Sequence, residues 1–231
     1  MSDDQYELWA NNSGTTSSPR CPDLRSSMLA LKGVGCVRNG RKVFEGASCT
    51  VAPGQLLRVQ GANGAGKTSL LRVLCGLLAP TEGEALWCGQ DIATLREAFG
   101  QQLIYLGHAA ALKDDLTPLE NLVTAHALGG QRLTPVQARQ ALGLAGLRGL
   151  EDTLVRRLSQ GQRRRSALAR LVHGQYAPLW VLDEPFTALD VSAATWLADL
   201  VRTRLEGGGV VVLTSHQDVV IGAVPQVVLA L

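Results

Sequence analysis

Apolar positions along this chain come in short blocks broken by glycine and proline. Leu29–Val34, Lys42–Phe44 and Leu56–Val59 are separated by Gly- and Pro-containing turns, which predicts strands. Gly61 to Gly66 interrupts the pattern, and Thr68–Leu78 (TSLLRVLCGLL) then carries apolar residues at helical spacing. Ala85–Cys88 and Leu103–Leu106 read as further strands. From about Thr117 to Arg170 the pattern turns helical. Thr117-Pro118-Leu119-Glu120 combines an N-cap, a proline at the first helical position and a capping-box glutamate, and Thr134-Pro135 opens a second helix in the same way. Leu179–Leu182 and Val210–Leu213 are short apolar runs of the kind buried in parallel sheets. The helix between them starts at the N-cap Asp190 and ends at Gly207-Gly208-Gly209. Strands alternating with helices at both ends of an all-helical middle predict an α/β core with a helical insertion.

Residues 1–27 stand apart. Asn11–Pro22 is almost entirely Ser, Thr, Asn, Gly and Pro, so it cannot bury enough surface to offset its ordering entropy. A mobile polar tail is expected there, with Tyr6, Leu8 and Trp9 its few groups able to dock. The whole chain has 231 residues, 46% of them hydrophobic, which suits one packed α/β domain over 28–231. A net charge of +2 leaves no electrostatic footprint for a nucleic acid partner. The uncharged stretch Val219–Leu231 contains Pro225 and is too short to span a bilayer, and no basic start leads into an apolar signal segment. A soluble chain of cytoplasmic type is expected. The cysteines, Cys21, Cys36, Cys49, Cys75 and Cys88, are odd in number and lack CxxC spacing, so neither a disulfide framework nor a zinc site is indicated.

The break before the first strong helix carries the chemistry. Gly61-Ala62-Asn63-Gly64-Ala65-Gly66-Lys67-Thr68 fits G-x-x-x-x-G-K-[ST] between a predicted strand and a predicted helix. Glycines let successive backbone N–H groups curl around phosphate oxygens, and the helix N-terminus, including Ser69, adds partial positive charge. Lys67 would neutralise the β- and γ-phosphates of a nucleotide, and Thr68 would offer its hydroxyl to Mg²⁺. The frequencies of Gly, Lys and Ser+Thr in this glycine-rich chain give roughly 0.005 accidental matches, even before the strand–loop–helix context is required. Further along, Leu179–Leu182 delivers Asp183 and Glu184 to the carboxyl end of a buried strand, where ligands sit in open α/β sheets. Asp183 would hold Mg²⁺ through water, and Glu184 would orient and deprotonate the attacking water.

With these residues in place, Leu29 to Leu231 resembles an ATP-binding-cassette ATPase. Leu158-Ser159-Gln160-Gly161-Gln162 is similar to the family signature LSGGQ, with Gln160 replacing a glycine. Ala188-Leu189-Asp190 is similar to the dimer-contacting D-loop, and His216 to the switch histidine at the γ-phosphate. The resemblance implies a P-loop core of ABC type, with an antiparallel β subdomain and an inserted helical subdomain at roughly 91–170. It also implies ATP and Mg²⁺ as cofactors. Ser159, Gly161, Gln162 and Asp190 would meet the nucleotide of a second subunit, most simply in a homodimer. Two positions depart from the pattern. Arg38 stands where an aromatic residue usually stacks on adenine, and its guanidinium either stacks there or faces water. His108 stands for the Q-loop glutamine near Mg²⁺, and either takes that role or contacts only a partner. Arg156, Arg157, Arg163, Arg164, Arg165 and Arg170 form a basic run, read as a helix face that is solvated or paired with nearby acids rather than an anion-binding patch.

Within the cassette ATPases, Leu103-Ile104-Tyr105-Leu106-Gly107-His108, the stretch Leu112–Thr117 and Glu120-Asn121-Leu122 resemble the ATPase subunits of cytochrome c maturation complexes, the haem exporters. That resemblance implies a peripheral subunit on the cytoplasmic face of the inner membrane. It would work with integral membrane partners and couple ATP hydrolysis to haem export or to release of a haem-loaded chaperone. The alternative is the ATPase of another transporter, for a small molecule or a lipid. No Cys-Pro or CxxCH element accompanies His108, His126, His173 and His216, so direct haem binding is not expected. His126 and His173 are expected on helix surfaces or in local hydrogen bonds.

Overall fold

Two sheets organise the computed structural model, which describes residues 28–215 and 221–231. The expected tail and His216 lie outside the described residues. The first sheet is antiparallel, built from β1 (Leu29–Arg38), β2 (Arg41–Val51), β4 (Glu82–Trp87) and β5 (Gln90–Asp91) in the order β2-β1-β4-β5. Asn39 and Gly40 close the β1–β2 hairpin with φ of 51° and 72°, the paired positive values that match the twist of the flanking strands. At Gly83 (φ +75°) a Cβ would lie 2.3 Å from the Lys32 carbonyl oxygen, so only glycine lets β4 pass β1 at its register shift.

The second sheet is wholly parallel. It contains β3 (Leu56–Gln60), β6 (Leu103–Leu106), β7 (Leu179–Leu182), β8 (Val210–Thr214) and β9 (Gln226–Ala230), in the order β6-β7-β8-β3-β9. Its central strands β7 and β8 are buried along their whole length, which explains their unbroken apolar sequence. Leu179 and Val181 face a core shared with the antiparallel sheet and helix α1 (Lys67–Leu74). Trp180 and Leu182 face the opposite core, shared with helices α3 (Pro118–Leu128), α4 (Pro135–Leu144), α5 (Gln160–Leu168) and α6 (Val191–Glu206). The parallel sheet is thus the middle layer, with α3, α4 and α5 inserted between its neighbouring strands β6 and β7.

Capping chemistry sets most helix starts. Thr117 and Thr134 each accept from the backbone N–H at the third helical position and are answered by Glu120 and Gln137, with proline at the first position. Asp190 caps α6 by accepting from Ala193, and the helix ends at Gly207. Three stretches differ from the sequence reading. The helix predicted over Thr68–Leu78 stops at Leu74, because Gly76 (φ +69°) turns the chain left-handed. Helix α2 (Ile92–Gly100) stands where the sequence reading places no element, and its Ile92 and Phe99 join the core of the antiparallel sheet. The stretch around Val227 and Leu229, read only as too short for a membrane, is edge strand β9 along β3; Pro225 just before it masks the strand pattern.

His126 takes the local-bond alternative. It is 2% exposed, with Nδ1 3.1 Å from the Leu122 carbonyl and its ring edge-on to Tyr176. That bond makes Nδ1 the donor and leaves Nε2 a bare acceptor with no partner. Burial pushes the His126 pKa down, with Arg170 and His173 adding repulsion, and burial also lowers that of the half-buried His173. The unfolded chain therefore binds protons that the folded chain refuses as pH falls below about 6.5, and stability is lost in that direction. Melting followed between about pH 7.5 and 5.5 is expected to show a Tm falling by several degrees, with His126→Leu flattening the dependence.

Candidate active site

The loop Gly61–Gly66 leaves the carboxyl end of β3 and enters α1. Gly66 sits at the N-cap with φ +98°, where a Cβ would come within 2.6 Å of Val43 and 2.8 Å of Phe44. The β2 strand therefore presses directly on the loop and enforces glycine there. Lys67 is almost wholly buried, and its ammonium folds back to donate to the Gly61 carbonyl (2.8 Å) and the Ala62 carbonyl (3.1 Å). Asn63 and Gly64 form the exposed tip, Ala65 donates back to Ala62, and Ser69 is half-buried in the first turn of α1.

Opposite the loop, parallel register places Leu182 beside Leu213, so the next residues, Asp183 and Thr214, emerge together. Asp183 is 2% exposed and fully engaged: Thr68 Oγ1 donates to Oδ2 (2.9 Å) and Thr214 Oγ1 donates to Oδ1 (2.7 Å). The same Thr214 hydroxyl accepts from the Glu184 backbone N–H (2.9 Å). Glu184 has φ +48°, a left-handed conformation rare for a side chain without a local hydrogen-bonding head, which costs about 1–3 kcal/mol and concentrates at functional sites. Its carboxylate receives Thr187 Oγ1 at 3.5 Å and lies 3.9 Å from His108 Nδ1. The exposed His108 ring is thus directed at Glu184, while both Asp183 oxygens are held by hydroxyls.

The fit to a nucleotide and a small divalent cation follows from these groups. A glycine loop at a helix N-terminus, with a buried ammonium facing its carbonyls, offers cationic and N–H donors to phosphate oxygens. The Thr68 hydroxyl and Asp183 carboxylate set two hard oxygen donors side by side, the donor type Mg²⁺ prefers. Asp183 also contributes to pushing the buried Cys75 thiol up to about 12, behind burial itself, which keeps that thiol inert.

The signature residues form the start of α5. Ser159 caps α5, accepting from the Gln162 N–H, while Gln162 Oε1 accepts from the Ser159 N–H. A Cβ on Gly161 would lie 3.0 Å from the Ala188 carbonyl oxygen, so α5 abuts the turn leading to Asp190. Arg165 reaches Asp190 at 3.9 Å. Arg38 is exposed at the β1–β2 hairpin.

The arginine run needs one correction. Arg156 pairs with Asp115 (2.8 Å) and Arg163 with Asp114 (2.9 Å), as a helix face paired with acids should. Arg164 is instead 6% exposed and donates to five carbonyls: Gly107 (2.9 Å), His108 (3.2 Å), Asp183 (2.9 Å), Glu184 (2.8 Å) and Pro185 (3.4 Å). Burial lowers its pKa, opposed by Asp183 and Glu184. Arg164 and Thr214 are the two site residues that sequence reasoning missed. A signal for the first existed, since Arg164 precedes Ala167, Leu168 and Leu171 on one apolar stripe. Thr214 could be found only by knowing that β7 and β8 are neighbours.

Comparisons place these features among known proteins. Residues 44–187 match the ABC transporter family. The chain is 50% identical over 196 residues to the cytochrome c biogenesis ATP-binding export protein CcmA of Dechloromonas aromatica, covering 85% of this chain and 96% of that one. It is 52% identical over 204 residues to the protein of that name from Aromatoleum aromaticum (88% and 95% covered), and 45% identical over 190 residues to that of Escherichia coli (82% and 89%). Among solved structures, an ATP-binding subunit of an ABC transporter superposes with a TM-score of 0.74 at 24% identity (82% and 80% covered). The ATP-binding cassette MJ0796, in a dimeric post-hydrolysis state bound to ADP and Pi, superposes with a TM-score of 0.70 at 23% identity (82% and 88%).

Thr214→Val keeps the shape but removes one hydroxyl that serves both Asp183 and Glu184. It is expected to cost about 1–3 kcal/mol in urea unfolding, most of which Thr214→Ser restores.

Proposed function

The chain belongs to the ABC transporter family, within it to the cytochrome c biogenesis ATP-binding export proteins, and on that premise we propose that it is the ATP-hydrolysing subunit of a membrane complex that serves cytochrome c biogenesis. The work of hydrolysis in that complex is haem export or the release of a haem-loaded chaperone. Identity of 50% across 85% of the chain to a relative of that name is the observation that carries the reading.

In this reading the N–H groups of Gly61 and Asn63–Gly66 and the Lys67 ammonium take the β- and γ-phosphates, and the first turn of α1 at Thr68 and Ser69 adds its partial charge. Thr68 and Asp183 would hold Mg²⁺, which when bound supplies charge neutralisation on the phosphate oxygens; His108, whose exposed ring faces Glu184, would join them only by turning toward the ion. The Glu184 carboxylate orients the attacking water and accepts its proton, and His216 contacts the γ-phosphate. Arg38, exposed at the hairpin, either stacks on the adenine or faces water. Ser159, Gly161, Gln162 and Asp190 face the nucleotide of a second copy, so the working unit is a homodimer that closes on ATP and reopens after hydrolysis. The domain spans 28–231, and its helical subdomain is narrower than the expected 91–170: it lies between β6 and β7, because β6 belongs to the parallel sheet and α2 packs on the antiparallel one. Among the described residues no helix is long and apolar enough to cross a membrane, which suits a peripheral subunit held by integral partners on the cytoplasmic face of the inner membrane.

Replacing the protein in its cell by Glu184→Gln, and staining c-type cytochromes for covalent haem, tests both halves. The expected result is loss of the haem-stained bands, with the variant still on the membrane and its ATP-bound dimer trapped closed. Unchanged bands would remove the cytochrome pathway, and normal ATP turnover by the purified variant would remove Glu184 as the base.

A further inference from the structure

Among the described residues Arg164 hydrogen-bonds no side chain assigned above to ATP, yet it is a buried cation whose guanidinium donates only to backbone carbonyls, among them those of His108, Asp183 and Glu184. Its Nη1 bridges the Gly107 and His108 carbonyls at the end of β6, and its Nη2 bridges those of Asp183 and Glu184 at the end of β7. We infer that Arg164 is a positioning residue for ATP hydrolysis: by holding the left-handed backbone of Glu184 and the His108 loop in one grip, it fixes where the Glu184 carboxylate points. The inference rests on the proposed role of Glu184 as the base.

Three observations converge on it. Glu184 stands at φ +48°, a conformation that surrounding structure must over-determine to persist. Its peptide groups are held from two sides, the N–H by Thr214 Oγ1 and the carbonyl by Arg164. The clamp also originates on α5, whose first turn begins at Ser159 and abuts the Ala188 carbonyl at Gly161. One short helix therefore touches the 183–190 segment at both ends, and a tilt of α5 reaches the Glu184 backbone through Arg164. A lysine cannot replace this grip. Its single ammonium donates from one point, whereas the guanidinium donates in two directions in a plane.

The test compares the full-length wild type, Arg164→Lys and Glu184→Gln. Steady-state ATP hydrolysis is normalised to sites that bind a fluorescent ATP analogue, so unfolded chains drop out of the rate. Arg164→Lys is expected to lower kcat by about 10–100-fold, as displacement of a catalytic group by about 1 Å does, while KM and analogue affinity stay within about threefold. If the lysine variant yields no binding sites, Arg164→Gln, which keeps a planar donor head, is read against the same expectation. Wild-type kcat per site in the substituted protein, with Glu184→Gln inactive, overturns the inference alone. A parallel loss of affinity and kcat also overturns it, since that marks general damage to the fold. Normal turnover by Glu184→Gln overturns the inference together with the assignment of the base.

Discussion

The site depends on one buried carboxylate and the two hydroxyls that hold it. Asp183 joins α1 through Thr68 to the middle of the parallel sheet, and it joins β7 to β8 through Thr214. A carboxylate this deeply buried persists only with its oxygens satisfied, and both acceptors here are bonded. The bonds therefore lock the phosphate loop to the strand that carries Glu184. Thr214 adds to the lock because its oxygen also receives the Glu184 N–H.

The layers around this junction explain its rigidity. β7 and β8 are buried on both faces, so neither can shift register without exposing one core and overfilling the other. Around that base two further parts of the fold converge on the same point. The antiparallel sheet presses Val43 and Phe44 onto Gly66, and the helical insertion brings Arg164 onto the carbonyls at 107–108 and 183–185.

Polar groups in the helical insertion divide by burial. Arg156 and Arg163 pair with acids at the exposed surface, where such pairs are worth at most about 1 kcal/mol. Arg164, next in sequence to Arg163, lies inside and does different work. His126 is buried with a bare ring nitrogen, and that burial pushes its pKa down. Adjacent residues of one type thus carry unlike energies because a helix turns them through about 100° per residue.

Much of this was legible in the amino-acid sequence, wherever the signal is local. The glycine spacing of residues 61–66, the apolar runs of β7 and β8, and the capping residues Thr117, Thr134 and Asp190 each act within a few positions of themselves. The adjacency of β7 and β8 is not local, and neither is the burial of Arg164. Thr214 becomes a site residue only when parallel pairing sets it beside Asp183, and the aim of His108 at Glu184 needs two loops to converge. β9 and α2 were missed for the same reason: both take their stability from the layers they pack on, which their own sequence does not encode. Short-range steric and hydrogen-bonding preferences thus made the phosphate loop and the strand ending in the two carboxylates legible in the chain, while the signature was legible only through its family resemblance. The tertiary structure alone decided which polar side chains meet around Asp183 and Glu184, because their contacts join residues far apart in sequence.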